Sequence, residues 1–175
     1  MRRSDLEHII RASGEIADDS EIVIIGSQAI LGQFPDAPVR LLVSMETDVY
    51  PRNKPQLAEK IDGAIGEGSS FHEQHGYYAQ GVGPETALLP KGWEDRLIEV
   101  NNQNTGGISG LCLEVHDLAI SKLVAARPKD LQFLRELVSH GMVERTTLTK
   151  RLAQTQLKNV ERQRMQSRLA LLFST

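Results

Sequence analysis

The apolar positions of this chain change rhythm along its length, and each change marks an element. Leu6, Ile9, Ile10 and Ile16 recur at helical intervals, which predicts a helix over 5–17. Ser4 with Glu7 three residues on has the spacing of a capping box at its start. After the polar break Asp18-Asp19-Ser20, Ile22 to Ile25 form a β-branched run of the length expected for a strand buried on both faces. That run stops at Gly26-Ser27, and Gln28 to Leu31 read as the opening turn of a short helix. A second strand is expected at Val39 to Val43. From Lys54 to Ile65, Pro55 stands in the first turn, Leu57, Ile61 and Ala64 form an apolar stripe, and Gly66 is a stop, so a crossover helix fits. The turn-rich run 66–70 delivers Phe71, His72, His75, Tyr77 and Tyr78 on a loop. Ala87 to Trp93 reads as a strand end and turn, and 97–100 with 111–115 as a hairpin around 101–110.

Beyond Val115 the period is helical throughout. Asp117 is a candidate N-cap for a small-residue helix through Leu118, Lys122 and Ala125 that ends before Pro128. A further helix over 130–140 turns Leu131, Leu134, Leu137 and Val138 inward, and 143–173 supplies one or two more, with Thr147 or Thr149 as a cap. Mixed strands and helices followed by helices alone predict an α/β (α+β) fold, a mixed sheet flanked by helices over 1–115 with a helical segment over 116–175 packed on it.

Composition narrows the setting. At 175 residues and 40% hydrophobic content the chain supplies the core of an ordinary domain. No apolar run approaches the ~18 residues of a membrane span. Met1-Arg2-Arg3 leads into Ser4-Asp5 rather than an apolar signal core, so a cytoplasmic protein is expected. Its one cysteine, Cys112, excludes an internal disulfide and suits a reducing compartment. The net charge of −3 conceals an asymmetry. From Met142 on, Arg145, Lys150, Arg151, Lys158, Arg162, Arg164 and Arg168 are opposed only by Glu144 and Glu161. Such a basic segment serves as a plain solvated surface, a homodimer contact or a footprint for RNA phosphates.

The candidate chemistry lies where the first strands end. A glycine and serine between a strand and a helix can turn backbone N–H groups toward phosphate. Glu46 and Asp48, two apart, share one face of an extended segment, and two such carboxylates repel unless a cation sits between them. Mg²⁺ carrying phosphate oxygens is one answer, and a solvated strand end is the other. Glu99 would present a third carboxylate only if its strand neighbours theirs. His72 and His75 form a weak set of zinc ligands, and one of the nearby rings is a candidate to stack on a base.

The order Ile25-Gly26-Ser27, helix, Glu46-Thr47-Asp48 resembles the signature of the nucleotidyltransferase superfamily, with Ser44 where a threonine often precedes the acids in toxin-type members. Asp117-Leu118, Lys122-Leu123 and then Ala125-Ala126-Arg127 with Lys129-Asp130 resemble the second motif of the AbiEii-type toxin nucleotidyltransferases and related uncharacterised bacterial families. The resemblance implies transfer of a nucleotidyl group from an NTP substrate to a hydroxyl acceptor. Glu46 and Asp48 would hold Mg²⁺ or Mn²⁺, Gly26 and Ser27 would cradle phosphate, Lys122 and Arg127 would grip the triphosphate, and Asp130 would orient the lysine or an incoming hydroxyl. In that setting the acceptor is RNA such as a tRNA end, and an antitoxin is the partner. The chain departs from the pattern in three ways: Glu46 replaces the usual first Asp, the gap after Ser27 is long, and Tyr50 stands where a further acid can occur. These departures keep open a second class, a catalytically weak or inactive nucleotide- or RNA-binding protein on the same fold.

Overall fold

The computed structural model describes residues 1–174. The chain divides into two compact units, one of Met1–Thr86 with Leu97–Glu114, the other of Ala87–Arg96 with Val115–Thr175.

The first unit is built on a mixed five-stranded sheet in the order β3-β2-β1-β5-β4. Helix α1 (Arg3–Ala17) leads into β1 (Glu21–Ile24), and a 3₁₀ turn at Ser27–Ala29 continues into the one-turn α2 (Ile30–Gln33). Strand β2 (Glu46–Pro51), α3 (Ala58–Ile65), α4 (Ser70–His75) and β3 (Tyr78–Gly81) follow, then β4 (Ile98–Val100) and β5 (Ser109–Cys112). Strand β1 is central, antiparallel to β2 and parallel to β5. Its Ile22, Val23 and Ile24 are all buried, as a strand paired on both edges requires. β2 and β3 run parallel, so the α3–α4 segment is the crossover between them.

Register fixes which side chains share a face. Pro51 and Val49 of β2 lie in rows with Ile22 and Ile24 of β1 and with Gly110 and Cys112 of β5, and Thr47 shares their face. A methyl at Gly110 would stand 2.7 Å from Cγ1 of Ile10, which places α1 against that face. A methyl at Gly81 would stand 2.6 Å from the carbonyl carbon of Ala58, so α3 lies there too. The Arg3 guanidinium ties α1 to α2 by donating to the carbonyls of Leu31 and Gly32. Because strand side chains alternate, Glu46 and Asp48 project from the opposite face.

Several local expectations change. Val39–Leu41 is a 3₁₀ turn rather than a strand, and Val39 and Val43 are 82% and 78% exposed. Pro35 and Pro38 cannot feed a ladder, which is why β-branched composition did not decide this stretch. The α1 capping box is formed by other residues: the helix starts at Arg3, and the Arg2 N–H donates to the Asp5 carboxylate at 2.7 Å. Glu7 instead turns inward and accepts from Arg3, Asn102 and Asn104. Rather than lying on a loop, Phe71, His72 and His75 sit on α4, whose N-cap Ser69 accepts the His72 N–H. No strand forms at 87–93, where the chain runs into a 3₁₀ turn at Trp93–Arg96.

The second unit is helical: α5 (Val115–Ala125), α6 (Pro128–Ser139), α7 (Arg145–Ala153) and α8 (Asn159–Leu172). Its core is Leu118, Ile120, Leu123, Leu134, Leu137, Leu148, Leu152, Met165 and Leu169. Asp117 is not a cap but a fully buried carboxylate inside α5. Arg96 grips it with two hydrogen bonds, Nε at 2.7 Å and a terminal nitrogen at 3.0 Å, and Arg151 Nε lies 3.2 Å away. Thr147 and Thr149 fall inside α7, whose N-cap is Glu144. Cys112 is buried in the first unit, and burial pushes its thiol up to about 12, which makes it a core residue rather than a reactive one. Among the described residues no helix is long and apolar enough to cross a membrane.

Candidate active site

The two carboxylates of the first motif are placed by the β1–β2 ladder. The Ile25 N–H donates to the Asp48 carbonyl at 3.1 Å, extending the pairing past the end of β1 and bringing Asp48 beside Gly26. Gly26 has φ −81° and ψ −176°, an ordinary extended conformation, so its lack of a side chain matters for space rather than for backbone freedom. A methyl there would run into Oδ2 of Asp48 and stand 2.9 Å from Cγ. The glycine thus lets the second acid lie directly on the strand-to-helix turn. Ser44 sets the entry to β2, its hydroxyl accepting from the Glu46 N–H and donating to the Glu46 carbonyl, both at 3.1 Å.

Glu46 is paired across the sheet with Tyr78. The phenol donates to Glu46 Oε2 at 3.2 Å, and the His72 ring lies on Tyr78 with centroids 4.6 Å apart. Burial, then the charge of Glu46 and the hydrogen bond to it, push the phenol up to about 12, so it stays a donor. Neither Tyr78 nor its hydrogen bond was legible as a site feature. The aromatic cluster was, but which ring met which acid depends on the β2–β3 register.

Glu99 does not complete a triad. Its strand β4 is the far edge of the sheet, with β1 and β5 between it and β2, and its carboxylate accepts from Ser109 Oγ at 2.6 Å. His72 and His75 separate as well: His75 packs with His8, Phe71 and Tyr77, while His72 meets Tyr78. Among the described residues no group of three or more His, Cys, Asp or Glu is arranged to hold a metal. Glu46 and Asp48 are hard oxygen donors on one face of β2, with Asp48 against Gly26, and two such carboxylates suit a divalent cation that would take its remaining ligands from phosphate and water.

The second motif forms its own cluster in the second unit. Asp130, 2% exposed, stands between two cations, with Arg127 Nε at 2.7 Å and Lys122 Nζ at 3.5 Å. It also accepts the Arg127 N–H at 3.1 Å, capping α6. Burial disfavours its charge, but the hydrogen bonds from Arg127 and the charges of Lys122 and Arg127 outweigh that and hold the carboxyl below its ordinary value. Ala126, between the two helices, has φ +51°, a left-handed conformation that costs an alanine about 1 kcal/mol. This corner turns Lys122 and Arg127 onto one carboxylate. Two cations on one anion leave a net positive charge.

Three of the seven cations of the C-terminal helices, Arg151, Arg162 and Arg168, are committed to partners within the second unit. Arg162 caps α7, donating to the carbonyls of Leu152 and Thr155 at 3.0 and 2.9 Å, and Arg168 donates to the Leu123 carbonyl at 2.7 Å. Arg145, Lys150, Lys158 and Arg164 are exposed.

No curated protein and no solved structure matches the chain. Residues 4–174 match the family described as nucleotidyltransferase of unknown function (DUF6036). That span includes both motifs, and the chain belongs to this nucleotidyltransferase family.

Proposed function

We propose that the protein transfers a nucleotidyl group from an NTP to a hydroxyl acceptor, with Glu46 and Asp48 as the acids that bind the metal-bound triphosphate. The observation that carries this is Asp48 packed on a glycine that no other residue can replace without moving the carboxylate. A divalent cation held there would neutralise phosphate charge and lower the cost of deprotonating the acceptor hydroxyl. The acceptor oxygen forms a bond to the α-phosphorus as the bond to pyrophosphate breaks. Glu46 and Asp48 would orient the nucleotide, and Gly26 and Ser27 would place N–H groups against its phosphates. With only a 3₁₀ turn and one α-turn behind them, those groups would act by hydrogen bonding rather than through a helix dipole. Lys122 and Arg127, gathered on Asp130, are the proposed phosphate-binding cations of the second unit.

The acceptor class proposed is RNA, on the excess of cations in the C-terminal helices. A catalytically weak nucleotide-binding protein is the second reading, favoured by the pairing of only two acids. Incubation with Mg²⁺, each α-labelled NTP and total RNA separates the two. Label transferred to RNA by the parent and lost in Asp48→Ala supports the enzyme. MgNTP binding without transfer to any acceptor supports the binding protein.

A further inference from the structure

The first unit carries a hydrogen-bonded support behind Glu46 that neither motif includes. Glu46 and Tyr78 are directly opposite on parallel strands, and the backbone N–H of Tyr78 is fixed to the Met45 carbonyl at 2.9 Å. Its phenol reaches Oε2 of Glu46 at 3.2 Å. Behind it the His72 ring lies tilted at 53°. That ring is itself held: Nδ1 accepts the Gly68 N–H at 3.1 Å, and the Ser69 hydroxyl accepts the His72 N–H at 3.2 Å. From the Gly68 turn through His72 and Tyr78 to Glu46, each group restricts the next.

A glutamate has one more rotatable bond than an aspartate, so Glu46 needs more restraint than the Asp usual at its position to present a fixed oxygen. A phenol O–H on one carboxylate oxygen leaves the other for a ligand and sets the plane of the group. Partners of this kind orient the ligands of metal sites, and losing one typically costs 10- to 100-fold in affinity. We propose that Tyr78, backed by His72, is the positioning residue that aims Glu46 at a divalent cation shared with Asp48. The inference rests on the reading of Glu46 and Asp48 as metal-binding acids.

Mn²⁺ binding to the full chain, followed by electron paramagnetic resonance without nucleotide, tests it apart from activity. Tyr78→Phe keeps the ring against His72 and removes only the O–H. It should weaken Mn²⁺ about tenfold, with its thermal transition close to that of the parent, whereas Asp48→Ala should remove binding. In a Glu46→Ala background the Tyr78→Phe change should have no further effect, because the phenol acts through the carboxylate. Parent-like affinity in Tyr78→Phe, with binding lost in Asp48→Ala, would overturn the positioning role and leave the acids as ligands. An equal loss in both backgrounds would also overturn it, since the phenol would then act independently of Glu46. If the parent binds no Mn²⁺ at all, both this inference and the reading beneath it fall.

Discussion

A single methyl group tests how tightly the first motif is built. Gly26→Ala places a Cβ where the Asp48 carboxylate now lies, and the neighbour it meets is a short side chain on a central ladder. Overpacking of this kind costs about 1–3 kcal/mol in a well-packed site. Chemical denaturation should show that loss, and Mn²⁺ affinity should fall with it because Asp48 has to move. Unchanged stability and affinity would show that Asp48 has room to turn away. The second motif offers a test by pH. Asp130 is ionised and buried between Lys122 and Arg127, with its carboxyl held below its ordinary value. A depressed carboxyl contributes stability that is fully present above its unfolded value of about 4 and is lost as pH falls through the lower, folded value. Asp130→Asn should therefore cost about 3 kcal/mol at neutral pH by leaving Lys122 nearly buried without its anion. The gap to the parent should narrow as the pH is taken below 4. A gap that stays constant with pH would show that Asp130 acts by packing alone.

Among elements, the helices and the central strands were largely legible, since each carries its own period and punctuation. What escaped were features set by partners distant in sequence. Val39 to Val43 has strand composition but follows Pro35 and Pro38, and Val39–Leu41 is a 3₁₀ turn with Val39 and Val43 exposed and Leu41 buried. Asp117 looks like a cap from its neighbours and is instead buried by two arginines, Arg96 and Arg151. Glu46 and Asp48 were found by spacing alone, whereas Tyr78 needed the sheet register. The basic C-terminal segment shows the same divide, for counting charges does not say which are spent on helix ends. Arg162 donates to the carbonyls that end α7, so Arg162→Ala should lower the melting temperature of the chain, by about 1–2 kcal/mol of stability. Arg164→Glu should not, being exposed. A fair test of RNA binding reverses Arg145, Lys150 and Arg164 and leaves Arg162 and Arg168 in place. If these helices hold RNA, the parent's affinity should fall steeply with salt and the triple reversal should flatten that slope. Equal slopes would assign the cations to plain surface.

For the whole molecule, the chain belongs to a nucleotidyltransferase family, and each of the two candidate motifs lies within one unit. The first unit provides the two acids, the glycine beneath Asp48 and the phenol beside Glu46. The second provides Lys122 and Arg127 on one carboxylate. The acids are the part without which no nucleotidyl transfer is proposed. Calorimetric titration of the parent and of the Glu46→Ala, Asp48→Ala double variant with MgATP and MgGTP measures that dependence directly. The parent should bind at least one nucleotide saturably, only in the presence of the metal, and the double variant should lose that binding with the fold retained by circular dichroism. Binding by the double variant equal to that of the parent would contradict the role given to the two acids.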